Sequence, residues 1–145
     1  IYTHLFGLET VVFRYFNVYG ERQPLKGQYA PVIGIFIRQK HNGQSMTIVG
    51  DGKQRRDFTH VSDVVQANIL ASNLENTKVA GETFNIGSGT NHSILEIANF
   101  IGEKYIFISP RPGEARETKA NNTKAKNILG WAPSINVEDW IKVNS

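Results

Sequence analysis

A chain of 145 residues, 40% apolar and 10% aromatic, is long and apolar enough to bury a domain-sized core, which excludes intrinsic disorder. Sixteen basic against 13 acidic side chains leave a net charge of only +3, and the bases are spread over separate segments, so no nucleic-acid surface is expected. The lack of cysteine excludes disulfides, thiolate metal sites and a cysteine nucleophile.

No apolar run approaches the ~20 residues that span a bilayer, and Ile1 to Phe6 carries no basic leader. The four histidines show no metal-ligand spacing. The expectation is therefore no membrane, no metal and a reducing, cytoplasmic setting.

The chain opens without Met, already inside a helical pattern that Gly7 closes, and so reads as a piece of something longer. Glu9 to Asn17 reads as a strand. Its run Val11-Val12-Phe13 predicts apolar cover on both faces, as in a parallel sheet. Polar groups gather at its carboxyl end, the place where open α/β sheets hold ligands, so Asn17 is a candidate contact. A turn residue bonding its own backbone is an equally good account of Asn17.

Glu21 to Pro31 reads as a loop. Val32 to Lys40 reads as a helix, because Arg38, Lys40 and His41 precede Asn42-Gly43 as a basic C-terminus should. Met46 to Val49 is a strand that breaks at Gly50-Asp51-Gly52. Arg55 and Arg56 follow. In extended chain they leave opposite faces, so one can reach a ligand while the other meets solvent or an acid such as Asp57. Ser62 and Asp63 read as the N-cap and first turn of a helix through Leu74.

Glu82 to Ile86 is a strand, and Gly87-Ser88-Gly89 after it reads as a tight structural turn. A phosphate cradle would run straight into its helix, whereas the next helix starts only at the capping box Ser93-Ile94-Leu95-Glu96 and runs to Ile101. Lys104 to Ser109 is a strand and Pro110 to Glu114 a stiff loop. Thr123 to Leu129 is a short helix with Gly130 as C-cap and Trp131 packed behind, and Asn136 caps a final helix. Lys119, Lys124 and Lys126 read as a solvated face. Across Pro112-Gly113, Arg111 and Glu114 support two readings equally. They face one ligand, arginine on phosphate and carboxylate on ribose hydroxyls, or they form an exposed salt bridge of about 0–1 kcal/mol.

Five segments occur in one order: Arg14 to Gln23, Gly50 to Val64, Asn85 to Gly89, Arg111 to Glu114 and Leu129 to Pro133. Together they resemble the carboxyl-terminal half of the NAD-dependent nucleotide-sugar epimerase/dehydratases, the extended short-chain dehydrogenase/reductases, and most of all the UDP-glucose and UDP-N-acetylglucosamine 4-epimerases. The resemblance implies an α/β fold, the C-terminal fragment of a Rossmann-type enzyme with its small mixed α/β substrate-binding domain. As one unit of 1–145, residues 1–23 would be the last Rossmann helix turn and strand, and 24–145 the substrate-binding domain. The N-terminal NAD-binding part would be absent.

It further implies that Asn17 bonds the diphosphate or sugar, that Tyr15 and Phe16 lie beside the nicotinamide of NAD, and that Tyr29, Ala30 and Val32 close over the nucleotide. Thr47 and Val49 would flank the uracil. Arg56 and Arg111 would clamp the diphosphate. Glu114 stands where the family usually has an aspartate on the ribose, one methylene shorter. Thr118, a small residue at the position that gates the sugar's 2-substituent, implies room for an N-acetyl group. No catalytic residue is expected in this chain, because Tyr2, Tyr15, Tyr19, Tyr29 and Tyr105 all lack a lysine four positions on. The expected partner is a UDP-sugar. The longer parent is expected to be a homodimer, and the fragment to self-associate through the face around Val11 to Phe13. The alternatives are a fragment of a sugar-nucleotide 4,6-dehydratase or of a UDP-glucuronate epimerase or decarboxylase, and a stand-alone basic nucleotide-binding module.

Overall fold

Two strand segments in line, β1 (Val12–Tyr15) and β2 (Asn17–Tyr19), join the two halves of the molecule. In the computed structural model, which describes residues 1–27, 30–72 and 78–145, each has its own partner. β1 pairs in parallel with a strand at Thr83–Ile86, Val12 opposite Thr83 and Tyr15 opposite Ile86; β2 pairs in parallel with one at Phe58–His60, Asn17 opposite Phe58. In chain order the remaining strands are β3 (Met46–Val49), β4 (Arg55–Arg56), β5 (Phe58–His60), β6 (Thr83–Ile86), β7 (His92–Ser93) and β8 (Tyr105–Ile108). β3 pairs in parallel with β8, and β4 pairs antiparallel with β7. The helices are α1 (Tyr2–Phe6), α2 (Val32–His41), α3 (Val61–Ala71), α4 (Ile94–Ile101) and α5 (Val137–Asn144), with a π-helical turn at Ala125–Leu129.

Two apolar cores result. One packs α2, α4 and α5 on β3 and β5 through Ile33, Phe36, Ile48, Phe58, Ile97 and Ile141. The other packs α3 and the π-turn on β6 through Val64, Ala67, Phe84, Ile86, Leu129 and Trp131. Full burial of each such large side chain contributes roughly 1.5–3 kcal/mol. The cleft described below opens where the first core meets β2 and β4.

Local signals account for most element ends. Ser93 accepts from the Glu96 amide at 3.1 Å while the Glu96 carboxylate accepts from the Ser93 amide at 2.6 Å, a complete capping box. Asn136 caps α5 through the Glu138 amide at 2.8 Å, and Gly130 closes the π-turn with φ 65°. Trp131 is 1% exposed, and its indole N–H donates to the Asp63 carbonyl at 2.8 Å.

Two expectations need correction. The run Val11-Val12-Phe13 is not covered on both faces: Val12 is 52% exposed, while Val11 and Phe13 lean on the second core. The side chains alternate across the strand, and this chain supplies packing for one face only. The cap of α3 is His60, not Ser62; its Nδ1 accepts from the Ser62 amide at 3.2 Å. β5 runs directly into α3, so the last extended residue, φ −70° and ψ 144°, becomes the cap. The described helix ends at Ala71, and Leu74 lies outside the described residues. Among the described residues no helix is long and apolar enough to cross a membrane.

Candidate functional site

β4 is only two residues long, and it divides its two arginines between opposite sides. Arg55 turns inward to the turn before α4. Its Nε donates to Asn91 Oδ1 at 2.9 Å, one terminal nitrogen donates to the Asn91 carbonyl at 2.7 Å, and the other lies 3.2 Å from Glu96. Arg56 turns into a cleft of about 420 Å³, where it meets Glu114 at 3.1 Å and donates to the Arg55 carbonyl at 2.9 Å.

Asp57 faces neither arginine, contrary to the sequence expectation. It is fully buried and accepts from the Ser88 amide at 2.7 Å, the Ser88 hydroxyl at 2.8 Å, the Gly89 amide at 2.9 Å and the Ala120 amide at 3.0 Å. A buried carboxylate requires such donors, and here three of the four come from Gly87-Ser88-Gly89, a structural turn as expected. Gly87 has no room for a side chain, since a Cβ would lie 2.4 Å from that of Ala120 and 3.0 Å from Phe16. Asp57 thereby fixes the backbone that carries Arg56, and its own carbonyl accepts the Asn17 amide at 3.0 Å.

The cleft brings together Asn17 from β2, Ala30 and Val32 at the start of α2, Thr47 and Val49 from β3, Arg56 from β4, and Arg111 and Glu114 from the proline-glycine loop. Of the two readings of that loop, a bridge from Arg111 to Glu114 is not formed; Glu114 pairs with Arg56 instead. Among the described residues neither Arg111 nor the Asn17 side-chain amide has a hydrogen-bond or ion-pair partner. The N-terminus of α2 has no side-chain cap among the described residues and borders the same space, adding the positive end of a helix dipole.

Other candidates lie elsewhere. Thr118 is not part of the cleft wall; its amide donates to the Arg55 carbonyl at 3.0 Å and its buried hydroxyl has no partner among the described residues. Tyr15 is half exposed on β1, its hydroxyl accepting from Asn68 at 3.0 Å, and Phe16 packs beside Gly87. Tyr29 lies outside the described residues.

The sequence reading passed over Gln54, Phe58, Ile35, Ile94 and Ile108, all of which line the cleft. Gln54, Arg56 and Phe58 alternate along one extended run, a period-two signal visible in the sequence once Arg56 is placed. Gln54 is held in turn by donating to the Val49 carbonyl at 2.9 Å.

A shallow groove continues the cleft past Val49 and Arg111 to Asp51 and Arg116. There Arg116 forks onto Asp51 at 2.9 and 3.0 Å, and this hydrogen bonding holds the Asp51 carboxyl down to about 2. Among the described residues no three His, Asp or Glu side chains are grouped to hold a metal ion.

The arrangement is a cationic, half-apolar cleft at the carboxyl ends of parallel strands, suited to an anion joined to a flat or apolar group. Residues 1–87 match the NAD dependent epimerase/dehydratase family, and the chain belongs to it. It is 48% identical, over 94% of its length, to the UDP-N-acetyl-alpha-D-glucosaminuronate decarboxylase of Bacillus cytotoxicus, covering 45% of that protein. It is 34% identical, over 97% of its length, to the UDP-glucose 4-epimerase of Mycolicibacterium smegmatis, covering 46%. The crystal structure of the Thermotoga maritima UDP-glucose 4-epimerase with UDP-glucose superposes with a TM-score of 0.89 at 36% identity, over 99% of this chain and 47% of that one. The chain thus spans less than half the length of each of these relatives. Its α/β fold with parallel strand pairs is that of the Rossmann-type extended short-chain dehydrogenase/reductases.

Proposed function

We propose that this chain is the nucleotide-sugar-binding part of an NAD-dependent UDP-sugar 4-epimerase, with residues 1–23 belonging to the Rossmann unit and 24–145 to the substrate-binding domain. The observation that carries this reading is the meeting of Asn17, Arg56 and Arg111 in one cleft whose far wall is Thr47 and Val49. Two guanidiniums and an amide are the groups that fork hydrogen bonds onto a diphosphate. The β3 wall offers a flat, half-apolar seat for the base, Glu114 lies within the cleft to accept ribose hydroxyls, and Ala30 and Val32 border the seat from α2.

When bound, NAD supplies the hydride acceptor of this family's chemistry. In this chain Tyr15 and Phe16 would be the residues beside its nicotinamide, while no glycine-rich phosphate loop is present in the sequence to hold its diphosphate. The sequence also has no Tyr-x-x-x-Lys. The isolated chain is accordingly a binder without turnover. A small residue at Thr118 would leave room for a bulky 2-substituent on the sugar; competing UDP-glucose against UDP-N-acetylglucosamine on the longer parent tests that selectivity.

A second reading keeps the same cleft and changes the reaction to decarboxylation of a UDP-uronate. The 48% identity to a decarboxylase favours it. Titrating the isotope-labelled chain with UDP, UDP-N-acetylglucosamine and its uronate by NMR tests the shared part. The reading requires saturable shifts at Asn17, Thr47, Arg56 and Arg111. Shifts confined to other surfaces, or steeply salt-dependent binding to RNA instead, would refute it.

A further inference from the structure

Among the described residues the β3–β8 pair has one covered edge and one open edge. On β3 the outward Thr47 amide donates to the Gln39 side chain at 3.1 Å, and the outward Val49 carbonyl accepts from Gln54 at 2.9 Å. On β8 the Lys104 and Ile108 carbonyls face β3, accepting from the Met46 and Gly50 amides at 2.9 Å. Backbone groups alternate along a strand, so those of Tyr105, Phe107 and Ser109 point away from β3. Among the described residues they have no partner. The edge is also apolar and open, with Ile106 52% and Phe107 54% exposed. Lys104, the charge nearest to it, is turned back onto the Gly43 carbonyl at 2.8 Å. Such an edge is a template for another strand. We propose that a second copy of this chain covers it, β8 pairing antiparallel with β8 about a two-fold axis at Phe107.

The edge is complementary to itself in that register. Phe107 lies opposite Phe107, and Tyr105 opposite Ser109 at either end, so three opposed pairs each exchange two backbone bonds. Any other antiparallel register opposes fewer of these three residues. Pro110, which has no N–H, falls opposite Lys104 where no bond between strands is made, and it keeps Ser109 extended. Ile106 meets Ile108 of the second copy, an apolar cross-strand pair. Glu103 and Arg111 each stand four residues from Phe107, on either side of it, so the axis sets each opposite the other. Both are exposed, and neither has an ion-pair partner among the described residues. The opposed charges would close both ends of the ladder. An axis normal to the sheet keeps its faces, and Thr47, Val49 and Ile108 line the cleft. Both clefts therefore open on the same side of one joined sheet.

Sedimentation velocity of the 145-residue chain over a range of concentrations tests this. The variants are F107P, E103R, R111E, the double E103R/R111E and, on the other exposed strand, V12K. F107P removes an outward N–H and leaves the β3 ladder intact, and proline is tolerated on edges; NMR spectra verify folding. The wild type should dimerise reversibly with a dissociation constant below about 1 mM, as a small interface allows. F107P should stay monomeric, and V12K should dimerise like the wild type. E103R and R111E should each weaken the dimer about three- to tenfold, and the double variant should return to within about twofold of wild type, because the pair is reversed and not lost. Should F107P unfold, the charge exchange decides alone. A wild type that stays monomeric up to about 1 mM overturns the inference. So does a dimer that survives F107P but not V12K, or a double variant no tighter than its parents.

Discussion

Arg55 and Arg56 are adjacent on β4, yet Arg55 is committed to Asn91 and Glu96 while Arg56 faces Glu114 across the cleft. Their substitutions should therefore separate stability from binding. Arg55→Ala leaves the Asn91 carbonyl and side chain without their donor and should cost about 1 kcal/mol in urea unfolding, with little change in UDP affinity. Arg56→Ala should do the reverse. Equal effects of both on affinity would mean that β4 does not sort them as described.

Asp57 should matter more to stability than either arginine. Asp57→Ala strands the half-buried amides of Ser88 and Gly89 and the buried amide of Ala120. A loss of about 2–4 kcal/mol in denaturant unfolding is expected. Gly87→Ala should act on the same junction, since the added methyl meets Ala120 and Phe16; overpacking of this kind costs about 1–3 kcal/mol. A Gly87→Ala chain as stable as wild type would show that the turn is slack.

Much of this was legible beforehand. The capping box at Ser93, the Asn136 cap, the Gly130 stop and the strand Met46–Val49 are local signals, decided by residues a few positions apart, and the structure reproduces them. The failures are long-range. Asp57 looked like a partner for its arginine neighbours because its backbone donors are 31 and more residues away. The cap at His60 escaped because the strand–helix junction, fixed by pairing with β2, leaves no separate capping residue. Val12 kept one open face because strand composition reports what a sheet tolerates, not which partner this chain provides. The cleft wall at Gln54 and Phe58 needed Arg56 as an anchor before the alternation had a direction.

Tyr19 makes the stability depend on alkaline pH. Its hydroxyl is buried with no hydrogen-bond partner among the described residues, and burial first, then the nearby Asp63 and Glu21 carboxylates, push its ionisation well above the ordinary value of 10.0. The folded state therefore keeps this proton where the unfolded state loses it. The contribution is complete below about pH 10 and is lost as pH rises from there toward the raised value. Tyr19→Phe removes an unsatisfied buried hydroxyl, so it should stabilise the chain by up to about 1 kcal/mol at neutral pH. It should also flatten the fall in stability between pH 10 and 11. A variant that is less stable at neutral pH, with an unchanged alkaline slope, would contradict this account of Tyr19.

The most direct measurement compares UDP with uridine on the wild-type chain and on Arg56→Ala and Arg111→Ala, by NMR titration at fixed salt. If both guanidiniums hold one diphosphate, each substitution should raise the UDP dissociation constant about tenfold, the equivalent of one charge-assisted hydrogen bond, and leave uridine within about twofold. UDP binding that is indifferent to either arginine, or uridine weakened as much as UDP, would contradict the claim that Arg56 and Arg111 serve one pyrophosphate.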